Sequence, residues 1–285
     1  MNDMNKSEVQ HILNQLGIRP NKNLGQNFLI NKNTVSKILL ESHIKISQSI
    51  LEIGPGLGAL TEDLVNKSNQ IYAYEIDPVL FSYLSNKFSN NENLKLYNED
   101  ILNAKIPSHD IIISNVPYSI TGPIFEKVFY NAQPPRGALI IENNIAERLF
   151  NRKSYKSFSR ITVTFNAFMK PVRKFKISRF DFFPTPKIEL ALVIVEPRNE
   201  IDQMLLSDDG RTFFLKLVAG IMPYKNKNMA NAINYFIKND KNFSYSKQHI
   251  EDFLHENQIK NDKLASFSVD EIIELSKKFY TFLNN

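Results

Sequence analysis

The chain has 285 residues, 42% hydrophobic and 11% aromatic, with a formal net charge of +5; this supports a good-sized α/β domain plus a smaller one and excludes a disordered chain. It contains no cysteine, which excludes disulfides, thiolate metal sites and cysteine nucleophiles, and His11, His43, His109, His249 and His255 show no ligand spacing, so no metal is expected. No apolar signal segment opens the chain and no run reaches the ~18 apolar residues that span a bilayer, so a soluble cytoplasmic protein with no membrane partner is expected.

Residues 1–22 are polar and read as a short helix or arm. Val35, Ile38, Leu39 and Leu40 recur at helical spacing and predict an amphipathic helix over 30–43. Strands and helices then alternate, with strands at 49–53, 70–75, 94–97, 110–114 and 137–141. Helices are expected over 59–66, 78–88 and 122–130, and one more includes 146–150. The run Ile161-Thr162-Val163-Thr164-Phe165 and residues 190–195 read as two further strands, joined by a basic segment and Pro184-Thr185-Pro186. The expectation is an α/β fold: a Rossmann-like, mostly parallel sheet of about seven strands. After Glu196-Pro197-Arg198 the strand signals stop, and Phe213, Phe214, Leu217 and Val218, then Ile272, Ile273 and Leu275, follow helical spacing. The domains expected are an arm over 1–22, an α/β domain over 23–199 and a small helical domain over 200–285.

The first strand runs into Gly54-Pro55-Gly56-Leu57-Gly58, a turn that lets a ligand approach the backbone closely. Its spacing departs from the dinucleotide fingerprint, and the surrounding strand ends carry acids: Glu52, Glu75 and Asp100. Acids suit a cationic, phosphate-free ligand. Glu75 is placed to accept both ribose hydroxyls, and Asp100 to accept from an adenine amino group with Ile101 against the ring. S-adenosylmethionine fits that description and makes this a class I methyltransferase domain. The plainer alternative is that Asp100 caps a helix and Glu75 is a surface acid.

The fourth strand ends in Asn115-Val116-Pro117-Tyr118. An exocyclic amine on an aromatic base is a poor nucleophile, because its lone pair is conjugated with the ring. Acceptance of its two N–H groups by Asn115 Oδ1 and the Pro117 carbonyl favours a pyramidal amine aimed at the methyl carbon. Tyr118 would stack on the base, and Pro117 fixes the turn. From Arg148 to Lys187 the chain carries Arg148, Arg152, Lys153, Lys156, Arg160 and Lys187 among eleven basic residues, against the acid Asp181. That excess suits a phosphate-facing surface, or else a solvated lysine face.

Gln26-Asn27-Phe28-Leu29, Glu52-Ile53-Gly54-Pro55-Gly56, Glu75-Ile76-Asp77, Asn98-Glu99-Asp100, Asn115-Val116-Pro117-Tyr118, Ala146-Glu147-Arg148 and Phe182-Phe183-Pro184-Thr185-Pro186-Lys187 stand in family order and spacing. Together they resemble the ribosomal RNA adenine N6-dimethyltransferases, which include the small-subunit dimethyladenosine transferases and the erythromycin-resistance methylases. The match runs over about 23–198. It implies that Asn27, Leu29, Gly54, Gly56, Glu75, Ile76, Asp100, Ile101 and Asn115 surround S-adenosylmethionine. It also implies that Phe182 closes on the target adenine opposite Tyr118. The plainer alternative for an aromatic in this Phe-Asp-Phe-Phe run is core packing, for which Phe180 and Phe183 are the better candidates. The C-terminal part, with Lys225-Asn226-Lys227 before an apolar helix, resembles the small-subunit branch, and Ser154-Tyr155-Lys156-Ser157-Phe158-Ser159-Arg160 and Phe267-Ser268-Val269-Asp270-Glu271-Ile272 look closest to archaeal members.

The function expected is dimethylation of N6 on two adjacent adenines near the 3′ end of small-subunit rRNA, by a monomer acting on that RNA or its precursor particle. The alternatives are a resistance methylase of large-subunit rRNA and a non-catalytic assembly or transcription factor on the same fold. A DNA-adenine or protein-glutamine methylase is disfavoured by Val116 and the F-x-P-x-P signature.

Overall fold

Ile111, Ile112 and Ile113 all lie fully inside the protein, as a parallel strand covered by helices on both faces requires. They are the middle of the sheet that positions everything else. The computed structural model describes residues 5–150, 158–239 and 245–284. In chain order the elements are α1 (Lys6–Gln15), β1 (Phe28–Leu29), α2 (Lys32–Ser42), β2 (Ser49–Ile53), α3 (Thr61–Leu64), β3 (Gln70–Tyr74), α4 (Pro78–Lys87) and β4 (Leu94–Tyr97). Next come β5 (Ile111–Asn115), α5 (Thr121–Phe129), β6 (Arg136–Glu142), α6 (Asn143–Phe150), α7 (Arg160–Phe168), β7 (Met169–Ile177), β8 (Phe182–Phe183) and β9 (Leu190–Pro197). The helices α8 (Gln203–Leu206), α9 (Asp208–Ile221), α10 (Met229–Asn239), α11 (Lys247–Glu256) and α12 (Val269–Asn284) complete the chain.

Among the described residues seven strands form one sheet in the order β4-β3-β2-β5-β6-β9-β7. The pairs β4–β3, β3–β2, β2–β5 and β5–β6 are parallel, and β9 runs antiparallel to β6. Strand order reverses between β2 and β5, and the carboxyl ends of strands at such a switch point form the ligand crevice of a doubly wound sheet. Ser114 closes that point, its buried hydroxyl donating to the Ile53 carbonyl at 2.6 Å. A second, two-stranded sheet joins β1 to β8 antiparallel, with Phe28 opposite Phe183 and Leu29 opposite Phe182.

The chain forms two compact units, one of residues 1–128, 135–146 and 171–196, the other of 129–134, 147–170 and 197–285. In the first, α1 is bound rather than free: Val9 and Leu13 pack with Phe28, Leu57 and Leu80. The second is helical, but it also takes in the segment 147–170, where the sequence places one cut near residue 200.

Two expectations fail. Ile161-Thr162-Val163-Thr164-Phe165 is not a strand but the body of α7. Its β-branched residues favour strand, yet every residue from Thr162 to Phe168 is buried. Ser159 and Thr162 form a capping box at its start, and Phe165 and Phe168 pack on Phe129 and Tyr130, so tertiary burial overrides propensity. The seventh strand is instead β7, within the basic segment expected to be a connector; Lys170, Val172, Arg173 and Lys176 in it stay exposed, which suits an edge strand.

Ser114→Ala strands a buried carbonyl at the switch point. We expect a loss of about 1–3 kcal/mol, read as a lowered denaturant midpoint with unchanged slope; an unchanged midpoint would show that the bond contributes nothing.

Candidate active site

The crevice at the switch point is lined by residues from six places in the sequence: 24–28, the end of β2 and the turn after it, the end of β3, Leu80 of α4, the loop after β4, and the end of β5 with the turn after it. Gly54, Gly56 and Gly58 all have positive φ (66°, 63° and 84°). A Cβ on Gly56 would sit 3.2 Å from the Phe28 ring, so the absence of a side chain there is a packing requirement as well as a conformational one.

Glu75 is buried at the end of β3. Its Oε2 accepts from the Gly56 N–H at 3.0 Å and its Oε1 from the Asp77 N–H at 2.9 Å. Burial pushes its carboxyl up to about 6, against the two N–H groups that hold it down. Glu52, 1% exposed, accepts from the Thr61 hydroxyl at 2.8 Å and is pushed up to about 8 by burial. Asp100 accepts from the Leu102 N–H at 3.0 Å and from the Asn103 amide. It therefore caps the turn that follows and lines the crevice as well, with Ile101 buried beside it. Ile76 is 48% exposed on the other side.

The N-terminal segment forms the opposite wall. Gln26 donates to Asp77 Oδ2 at 2.8 Å, while Asp77 Oδ1 caps α4. Asn98 donates to the Glu75 carbonyl at 2.8 Å. Asn115, at the end of β5, donates from Nδ2 to the Asn27 carbonyl at 3.0 Å. A carbonyl can only accept, so this bond sets which way the carboxamide faces, and Oδ1 is left as the acceptor. The Tyr118 hydroxyl donates to that oxygen at 3.2 Å, which uses one lone pair of two. Burial raises the Tyr118 phenol well above its ordinary value, so it remains a neutral donor. The Pro117 carbonyl accepts from the Ile120 N–H at 3.2 Å, again leaving one lone pair.

A profile of the family described as "Ribosomal RNA adenine dimethylase" matches residues 17–277. The chain belongs to the ribosomal RNA adenine dimethylase family. A Thermotoga neapolitana protein named ribosomal RNA small subunit methyltransferase A is 30% identical over 92% of this chain and 93% of its own length. A Borrelia garinii subsp. bavariensis protein of that name is also 30% identical, over 97% and 94%. Among solved structures, a dimethyladenosine transferase from Plasmodium falciparum superposes with a TM-score of 0.73 at 21% identity, covering 88% of this chain and 96% of that one; it supports the fold.

Membership makes the chain an S-adenosylmethionine-dependent adenine methyltransferase, and the crevice fits that cofactor. Its lining contains Glu75, Glu99 and Asp100 and no lysine, arginine or histidine, which suits a cationic ligand without phosphate. Glu75, held above its ordinary range by burial, would ionise more readily beside a sulfonium. The exposed face of Ile76 offers apolar cover for a ring.

The expected site residues divide into three groups. Asn27, Gly54, Gly56, Glu75, Ile76, Asp100, Ile101, Asn115 and Pro117 all line the crevice, and Leu29 joins Glu52 and Asn115 around a small adjoining cavity. Phe182 does not reach the site. It is 1% exposed and packs among Leu29, Ile113, Ile140 and Ile177, because its pairing with Leu29 turns the ring into the core. Phe180, expected in the core, is 69% exposed. Of the basic residues, Arg148, Arg160 and Lys227 are exposed in the second unit and Lys187 in the first. Lys225 donates to the Phe158 carbonyl at 2.9 Å, and Arg152, Lys153 and Lys156 lie outside the described residues. Among the described residues no group of three or more acidic, histidine or cysteine side chains could hold a metal, and no helix is long and apolar enough to cross a membrane.

Gln26, Asn98 and Ser114 had no assigned role in the sequence. The signal present was a polar residue at the edge of an apolar run, which names a type of residue but no partner.

For an acid, a folded-state value above the unfolded one means that stability is lost as pH rises between the two. Stability should therefore fall from about 4.5 up to about 8, the upper part belonging to Glu52. Thermal unfolding across that window should show the fall in the free protein and a flatter upper limb in Glu52→Gln. A wild-type profile already flat above about 6 would contradict the assignment.

Proposed function

We propose that this protein dimethylates N6 of two adjacent adenines near the 3′ end of small-subunit rRNA during ribosome biogenesis, acting as a cytoplasmic monomer on that RNA or its precursor particle. The observation that carries the reading is the Asn115 carboxamide, turned by the Asn27 carbonyl so that Oδ1 is the acceptor at the end of β5. Small-subunit specificity is supported by relatives of that name that align over nearly their whole length.

Bound S-adenosylmethionine supplies an electrophilic methyl group on a cationic sulfur. The chain's own residues do the rest by position. Asn115 Oδ1 and the Pro117 carbonyl each keep a free lone pair for one N–H of the amine, and holding the amine this way localises its lone pair. As it accepts the methyl group the amine releases one proton to water, the cofactor leaving as the neutral thioether, so a single N–H remains and either acceptor suffices to hold it. No strong base is needed, in keeping with a site whose acids lie on the cofactor side. The Tyr118 hydroxyl, bonded to Asn115 Oδ1, ties its ring to the same carboxamide and presents a face on which a base can stack. The second unit, with exposed Arg148, Arg160 and Lys227, supplies the phosphate-facing docking surface.

Purified protein incubated with labelled cofactor and undermethylated small subunits should place label in N6,N6-dimethyladenosine. Label found in large-subunit RNA alone would favour the resistance-methylase reading, and no label in any RNA would sink the activity. Asn115→Ala should lower kcat by about 10²- to 10³-fold while cofactor affinity, measured by calorimetry, changes far less. Tyr118→Phe, which keeps the ring and removes the donor to Oδ1, should retain most of the activity that Tyr118→Ala loses. Equal loss in the two would show that the ring is not the working part.

A further inference from the structure

The aromatic surface of the F-x-P-x-P segment belongs to Phe180, not to Phe182. A lone exposed hydrophobic side chain is ordinary on a protein surface, so exposure by itself says little. What sets Phe180 apart is how firmly it is held outward. Its neighbours along the chain, Ile177 and Phe182, are buried, and its own N–H donates to the Ser178 hydroxyl at 3.2 Å. The next residue, Asp181, is clamped on both carboxylate oxygens, by the Asn31 amide at 2.8 Å and the Thr34 hydroxyl at 2.7 Å. Its carbonyl accepts from the Ile30 N–H at 2.8 Å. A short turn with anchored ends therefore holds a phenyl ring in water at little further cost in conformational entropy on binding.

The ring has a cationic partner. The Arg179 guanidinium carbon lies 5.2 Å from the Phe180 centroid, and Arg179 makes no ion pair among the described residues. Residues 170–187 carry Lys170, Arg173, Lys174, Lys176, Arg179 and Lys187 against Asp181 as the only acid; Arg173 pairs with Glu41 and Lys176 with Glu189, while Asp181 is occupied by Asn31 and Thr34. A flat π face backed by a guanidinium, in a basic segment, matches an unstacked nucleobase and its phosphate.

Position adds the link to the reaction. The ladder that carries Leu29 opposite Phe182 continues to Ile30 opposite Asp181. Asn27, whose carbonyl holds the Asn115 carboxamide, immediately precedes β1, three residues before Ile30. Four residues at about 3.3 Å each and one strand spacing across put the Phe180 turn on the order of 15 Å from the amine-holding group, a span that a nucleotide adjoining the target can bridge.

We infer that Phe180, backed by Arg179, is the stacking platform for the unpaired nucleotide next to the target adenine. This rests on the rRNA reading above. The platform holds the strand open beside the slot, so its contribution falls on substrate affinity and leaves the transfer step alone.

The test compares wild type, Phe180→Leu and Phe180→Trp on undermethylated small subunits with labelled cofactor, and measures cofactor affinity by calorimetry as a control on folding. Phe180→Leu, similar in size and apolar but without a π face, should raise KM for the particle by about 5- to 50-fold, with kcat little changed. Phe180→Trp should restore KM. A Leu variant with the wild-type KM overturns the proposal, and so does a Trp variant as impaired as the Leu variant, which would indicate a simple apolar contact with a protein of the particle. Wild-type protein that labels neither subunit overturns the rRNA reading and this proposal with it, whereas wild-type labelling with an unaffected Leu variant overturns the proposal alone.

Discussion

A single hydrogen bond, from Asn115 Nδ2 to the Asn27 carbonyl at 3.0 Å, determines what the end of β5 can do. A carboxamide that is free to flip presents a donor or an acceptor with nearly equal ease. Only the acceptor end can hold an amine, and the Asn27 carbonyl makes that choice. Much of the N-terminal region serves to keep this carbonyl in place: α1 packs its apolar face on Phe28 and Leu57, Gln26 bonds Asp77 at the start of α4, and β1 pairs with β8. The wall of the crevice is thus assembled from segments 88 residues apart in sequence at Asn27 and Asn115, and the segment after β1 is held in turn by the bond from Asn31 to Asp181, 150 residues away.

Electrostatics divides the crevice by function. On the cofactor side are Glu99, Asp100 and Glu75, and the burial of Glu75 makes its ionisation costly until a cation arrives. On the amine side are neutral acceptors, which suit a nucleophile that must keep its lone pair free of a proton. A carboxylate in place of Asn115 would bring charge to the side that needs none. The glycine turn separates the two regions, and its positive φ angles let the backbone N–H of Gly56 reach Glu75.

Much of this was legible in the sequence where local pattern and chemistry coincide. The alternation of strands and helices gave the α/β sheet, and acids at successive strand ends, with Asn115 to Tyr118, gave the crevice. Pattern failed where burial on all sides removes periodicity: Ile161 to Phe165 carries strand-forming residues but is packed all round within α7. It failed again at Phe180 and Phe182, two positions apart in an aromatic run. Which of them enters the core depends on the register of β8 against β1, a long-range pairing that neither residue encodes. Bonds such as Ser114 to Ile53 are similarly invisible, since the sequence names a donor and gives no sign of the carbonyl 61 residues away.

The most direct measurement of the central claim is the saturated methyl-transfer rate of Asn115→Asp on its RNA substrate. Aspartate keeps an acceptor oxygen but has no N–H to donate to the Asn27 carbonyl, and the two oxygens repel. If the orienting bond is what makes Asn115 competent, this variant should be about as slow as one that lacks the carboxamide altogether. A rate near wild type would mean that an acceptor at this position suffices without being oriented, and would contradict the account.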